Sequence, residues 1–251
     1  MPPRIDFKSQ RLFVAHDLHE GAEHPLSEAH AHYLLTVLRM ETGAKLLAFN
    51  GKDGEWRVEV TRQSKRAGTL RVLSQTRPQT PLNDLWFLFA PLKKERMDWM
   101  VQKAVEMGAG AIQPVITEHT QSPKLRADKL EANIIEAAEQ CGVLAVPCLK
   151  SVQNLADLVA TWDQNRVVFW CDEHAEVATP TRILEVSRDK PKAVLVGPEG
   201  GFSPAEREQL LAAPFAKPIA LGPRILRADT AAVAALTAVQ MVAGDWSPEK
   251  V

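Results

Sequence analysis

Two short stretches hold residue types that suit a ligand site. The first is "VGPEGGFSPAERE", residues 196–208, in which Gly200-Gly201 lets the backbone take positive φ and approach a ligand closely. It follows the apolar run "KAVLV" and leads into a capping box, with Ser203 as N-cap, Pro204 at the first helical position and Glu206 three residues after the cap. Phosphate binding is disfavoured, because neither GxGxxG nor GxxxxGK[ST] occurs and Glu199 would repel a phosphate. A neutral or cationic ligand fits better, such as an adenosine bearing a sulfonium. The second stretch, "LGPRILRADTAAVAAL", residues 221–236, also follows an apolar strand and precedes a helix. Its Ile225 and Leu226 lie between two arginines just before a cap expected at Asp229 or Thr230. Such a pair in a loop is costly unless it lines a pocket or packs under one. Each turn alone can be a plain strand-to-helix connection; two after neighbouring strands can build one site.

Other clusters carry less. His16, His19, His24, His30 and His32 crowd the early chain, but His30 and His32 do not share a helix face and no cysteine is near, so no metal is expected. Cys141, Cys148 and Cys171 have no CxxC spacing and read as buried thiols of a reducing compartment. Without an apolar leader-like start or a run long enough to span a bilayer, a cytoplasmic protein is expected.

The elements that must position these residues fall into two parts. Residues 1–77 carry 12 Lys+Arg against 9 Asp+Glu, and residues 78–251 carry 18 against 22. A mildly basic module joined to a mildly acidic one fits local contact with an anionic partner. The first part reads as the strands "RLFV", "KLLAFNG", "EWRVEV" and "GTLRVL". One helix interrupts them, capped by Ser27, with Tyr33, Leu34, Val37 and Leu38 on its apolar face. That suggests a small barrel-like β domain. In it Arg11, Arg39, Arg57, Arg62, Lys65 and Arg66 are candidates for contact with RNA phosphates, or a solvated basic face. "SQTRPQTPLND" reads as a linker. Beyond it, apolar strands ("LWFLFA", "AIQPVIT", "RVVFWC", "KAVLVG", "PIAL") alternate with helices near 93–107, 128–140, 152–161, 204–212 and 230–243. This predicts an α/β domain with a mainly parallel sheet covered on both faces.

"VGPEGGFSPAE" followed about twenty residues later by "LGPRILRADTA" resembles the signature of the RsmE family, the ribosomal small-subunit RNA uridine-N3 methyltransferases of the SPOUT class. "HYLLTVLRMETG" and "FNGKDGEW" resemble that family's PUA-like N-terminal domain, and "KKERMDWMVQKAVEMGAGAIQPVITEHTQ" with "EAAEQCGVLAVP" the first half of its catalytic domain. The resemblance implies a C-terminal trefoil knot in the α/β domain, a homodimer, 16S ribosomal RNA as partner within the small subunit, and S-adenosyl-L-methionine as cofactor. It places the cofactor against Glu173, Gly197, Glu199, Gly200, Gly201, Leu221, Gly222, Ile225, Leu226 and Arg227. Arg227 is expected to stabilise charge on the uracil, and Asp229 or Glu199 to accept the N3 proton. The chain departs from the family at Asp229, where Glu is usual, and at Val143, where Arg is common. A SPOUT enzyme for another rRNA or tRNA position, or a PUA-containing assembly factor without catalysis, stays open at this point.

Overall fold

The structure, a computed structural model, describes residue 6 and residues 8–121, 124–175 and 181–246. Its contacts divide the chain into two compact units. One is Met1–Pro81 with Ala138–Val146, and the other is Leu82–Ala137 with Pro147–Val251. Residues 138–146 thus group with the first unit although they follow the linker.

The first unit contains β1 (Arg11–Phe13), β2 (Glu23–Pro25), α1 (Glu28–Ala31), β3 (Lys45–Phe49), β4 (Glu55–Arg62) and β5 (Gly68–Arg77). The strands form one sheet in the order β1-β3-β4-β5-β2, antiparallel except for β1 against β3. Alternation along β4 sends Val58 and Val60 into the core with Leu34, Leu46 and Leu70, while Arg57 stays exposed. Ser27 caps α1 as expected, its Oγ accepting from the His30 N–H at 3.2 Å.

The helix then departs from expectation. Residues 32–37 form a π-helical turn, in which the Leu38 N–H reaches back five residues to the Tyr33 carbonyl at 2.9 Å. The wider turn changes which side chains face inward, so Leu34 and Leu35 are buried whereas Val37 and Leu38 are 56% and 38% exposed. It ends at Arg39, the one non-glycine residue with positive φ among those described (54°).

A buried charge cluster explains why residues 138–146 group with this unit. Glu55, 1% exposed, accepts from Arg11 Nε at 2.8 Å, from Arg77 Nε and Nη2 at 3.0 and 2.7 Å, and from the Thr76 hydroxyl at 2.8 Å. The remaining guanidinium hydrogens turn to the backbone: Arg11 Nη1 donates to Glu139 O at 3.3 Å and Arg77 Nη2 to Gly142 O at 3.0 Å. The Phe13 N–H donates to the Glu139 carboxylate at 2.7 Å. Burial pushes the Glu55 carboxyl up, but Arg77, Arg11 and Thr76 together outweigh it and hold the carboxyl below its ordinary value. Arg11 is thus 4% exposed and fully engaged. The expectation that it contacts RNA is withdrawn.

The second unit contains β6 (Leu85–Phe89), α2 (Lys94–Glu106), β7 (Ala111–Ile116), most of α3 (Ala127–Cys141), β8 (Cys148–Leu149), β9 (Gln153–Asn154), α4 (Leu155–Thr161) and β10 (Val167–Cys171). It continues through α5 (Thr181–Glu185), β11 (Lys192–Val196), α6 (Pro204–Ala212), β12 (Ala216–Ile219) and α7 (Ala228–Ala243). The main path of the sheet is β12-β10-β11-β6-β7-β8, with β9 also on β7, and every pairing is parallel. Leu88, Val168, Trp170 and Leu195 face α4 and α6, packing on Leu155, Leu158 and Leu210. By the pleat, Phe87, Phe89, Phe169 and Val194 face the other side, where α7 packs on β11 and on α2. The chain starts mid-sheet at β6, steps out to β7 and β8, then crosses to β10 before β11 fills the gap. The C-terminal ends of β7, β10, β11 and β12 therefore lie along one edge, around a reversal of strand order, where α/β sheets take their ligands.

Candidate functional site

Residues 197–201 leave β11 as a tight turn closed by the Gly201 N–H on the Pro198 carbonyl at 3.0 Å. Gly201 has φ +69°, and a Cβ there would lie 2.7 Å from Glu173 Oε1, so the turn and the Glu173 carboxylate are in direct contact. Gly200 does not have positive φ, contrary to expectation. Its constraint is space: a Cβ there would stand 3.1 Å from the His119 Cβ. Gly197 is held small by the Phe202 ring, 2.9 Å from where its Cβ would be. The capping box of α6 forms as the sequence predicts, with the Glu206 N–H on Ser203 Oγ at 3.4 Å and the Ser203 N–H on Glu206 Oε2 at 2.9 Å. Glu199 is exposed and lies 3.5 Å from the Arg96 guanidinium on α2.

At the end of β10, Asp172 is 4% exposed and neutralised by Arg207 of α6, with Nε and Nη2 at 3.1 and 3.0 Å from Oδ2. This pair fixes the start of the segment that carries Glu173. The Cys171 thiol beside it is pushed up to about 12, first by burial and then by the Glu173 charge. By surface exposure Cys148 is exposed and Cys141 and Cys171 are half-buried, which corrects the reading of all three cysteines as buried.

The loop of residues 221–227 reaches the same edge through strand register. Cys171 pairs with Ile219, and the Asp172 N–H donates to the Ile219 carbonyl at 3.1 Å. Gly222 has φ +111° with nothing near its Cβ position, so it is glycine for conformation. Leu221 and Leu226 are half-buried, and Ile225 is 90% exposed, so Ile225 is not spent on the protein's own interior. Arg227 is exposed and makes no ion pair among the described residues. The expected cap is corrected: α7 begins at Ala228 with Arg227 in the cap position. Asp229, inside the first turn, accepts the Thr230 N–H at 2.9 Å. The structure thus brings Glu173, Glu199, Gly200 and Gly201 together and starts the 221–227 loop from a strand paired with β10.

Sequence reasoning missed the loop after β7. His119 Nδ1 lies 3.0 and 3.1 Å from the carbonyl oxygens of Gly200 and Gly201, and the Glu118 N–H donates to Glu206 Oε1 at 2.8 Å. The available signal was position: "TEHT" follows an apolar strand, as the two recognised turns do.

In the first unit Arg39, Arg57, Lys65 and Arg66 are exposed, and Arg62 is held by Glu41 at 2.8 Å. His16 and His24 stack at 4.7 Å beside a cavity of about 90 Å³ that His30 also lines. Burial, then His16, lowers the pKa of His30. No group able to hold a metal ion occurs among the described residues.

The chain is similar to known proteins. An RNA methyltransferase domain family matches residues 78–240, and an RNA methyltransferase PUA domain family matches residues 26–73. The Ribosomal RNA small subunit methyltransferase E of Rickettsia conorii is 30% identical, over 94% of this chain and 96% of its own. The protein of the same name from Buchnera aphidicola (subsp. Schizaphis graminum) is 29% identical, over 94% and 98%. The crystal structure of such an enzyme from Neisseria gonorrhoeae, bound to S-adenosyl methionine, superposes with a TM-score of 0.79 at 27% identity, covering 95% of this chain and 100% of that one.

Proposed function

The chain belongs to the Ribosomal RNA small subunit methyltransferase E family, and on that premise we propose that it moves a methyl group from S-adenosyl-L-methionine to N3 of a uridine in 16S ribosomal RNA. One observation carries the cofactor assignment: the glycine turn at the end of β11 lies against the carboxylate of Glu173, while Glu199 within the turn is paired with Arg96. A site of that charge suits a sulfonium and repels a nucleotide phosphate.

S-adenosylmethionine, when bound, supplies an electrophilic methyl group on a positive sulfur. The chain's own residues then do three things. Backbone groups of Gly197, Gly200, Gly201, Leu221 and Gly222, with the side chains of Ile225 and Leu226, would hold the adenosine part of the cofactor. Holding donor and uracil in line supplies much of the rate, because the transfer is a direct displacement. Arg227, with its fixed charge, stabilises the negative charge that spreads over the uracil oxygens as N3 loses its proton. Glu199 or Asp229 accepts that proton. Of the two, Glu199 belongs to the turn and is paired with Arg96, while Asp229 already accepts a backbone N–H.

The basic side chains Arg39, Arg57, Arg62, Lys65 and Arg66 contact RNA phosphates, a role supported by the PUA family match. The same family reading carries a trefoil knot around the β11 and β12 loops, a homodimer, the small ribosomal subunit as the setting and a cytoplasmic location. No helix among the described residues is long and apolar enough to cross a membrane.

Calorimetry with S-adenosylmethionine, and mass mapping of methylated uridines in 16S RNA from cells lacking and regaining the gene, test the proposal. Micromolar binding and one uridine methylation that returns with the gene are expected; absence of both overturns it.

A further inference from the structure

The loop after β7 has no part in that mechanism, yet it is built to hold the cofactor turn. Residues 117–120 close on themselves. The Thr117 N–H donates to Thr120 Oγ1 at 2.9 Å, the two hydroxyls meet at 2.9 Å, and the Thr120 N–H returns to the Thr117 carbonyl at 3.1 Å. From this braced turn two groups reach the segment after β11. One is the Glu118 N–H, bound to Glu206, whose other oxygen completes the cap of α6. The other is His119.

A carbonyl oxygen only accepts, so His119 Nδ1, 3.0 and 3.1 Å from the Gly200 and Gly201 oxygens, must carry the hydrogen and share it between them. Each peptide is planar, so fixing those two oxygens also fixes the N–H groups of Gly201 and Phe202 on the opposite sides of the same planes. A Gly-Gly pair is the least self-ordering piece of backbone available. The clamp supplies from outside the order that the side chains do not.

We propose that His119 is a positioning residue for the methyl donor: its Nδ1–H holds the 197–201 turn in the conformation that binds S-adenosylmethionine. The inference rests on the assignment of that turn to the cofactor.

The test compares His119→Ala, His119→Asn and His119→Gln by calorimetry with S-adenosylmethionine and by steady-state methylation. The Asn amide nitrogen sits as many bonds from Cβ as Nδ1 does and can donate to the same oxygens; the Gln nitrogen sits one bond further. Losing one shared neutral hydrogen bond should raise Kd about tenfold in the Ala and Gln variants, with Asn within about threefold of wild type. KM for the donor should rise in parallel, with kcat at saturating donor close to wild type. Wild-type affinity in His119→Ala, or an equal loss in Asn and Gln, overturns the proposal. If the Ala variant does not fold, the Asn and Gln pair decides by the same comparison. Failure of wild-type protein to bind the donor would instead overturn the cofactor reading, and this inference with it.

Discussion

Arg227 and Gly201 show how differently single residues act on the same edge of the sheet. Arg227 has an exposed guanidinium with no ion-pair partner among the described residues. On the proposed mechanism its removal should cost the fold little and the chemistry much. Arg227→Ala should lower the single-turnover methylation rate at saturating RNA and donor by roughly 10²-fold, the scale of losing one charge-stabilising donor, with donor affinity nearly unchanged. A wild-type rate would remove it from the mechanism. Gly201 is bound by both conformation and space: φ is +69°, and its Cβ position is 2.7 Å from the Glu173 carboxylate. Gly201→Ala should therefore weaken donor binding roughly 5- to 30-fold through backbone strain, on the order of 1–2 kcal/mol. Titration calorimetry reads the loss directly.

At the level of elements, local chemistry was legible and distant partnership was not. The capping box before α6 is four residues of sequence and formed as read. Ser203→Ala should cost about 1 kcal/mol, read as a lower urea midpoint with unchanged m-value. The apolar strands of the parallel sheet were equally plain, because they are buried on both faces and read as continuous runs. The π-helical turn at residues 32–37 was hidden, because an extra residue in one turn leaves the spacing of apolar residues looking helical while it changes the face they share. β8 and β9, two residues each, are too short to leave a periodic signal. Arg11 looked like a surface cation because its partner Glu55 lies 44 positions away. His119 looked idle because the carbonyls it binds lie 81 and 82 positions away.

For the whole molecule, the buried carboxylate at Glu55 sets a response to acid. Its folded pKa is below its unfolded value of about 4.3, so its contribution is complete above that value and is lost as pH falls through the folded pKa. Urea unfolding should show wild-type stability falling below about pH 4. Glu55→Gln should be less stable at neutral pH by about 3–5 kcal/mol, because two arginines are left buried without their counter-charge, and its profile should be flatter in the acid range. Equal slopes in the two proteins would remove Glu55 from the acid response.

The carbonyls of Glu139 and Gly142 that receive Arg11 and Arg77 also impose an order on synthesis. A ribosome delivers the five-stranded sheet first, but residues 138–146 arrive only after β6, α2, β7 and most of α3 have been made. At about 5–20 residues per second, that is an interval of several seconds. During it Arg11 and Arg77 have Glu55 but each still lacks one of its final backbone acceptors. Proteolysis of stalled nascent chains would then find the leading residues cleavable until residue 146 has emerged, and abruptly protected afterwards.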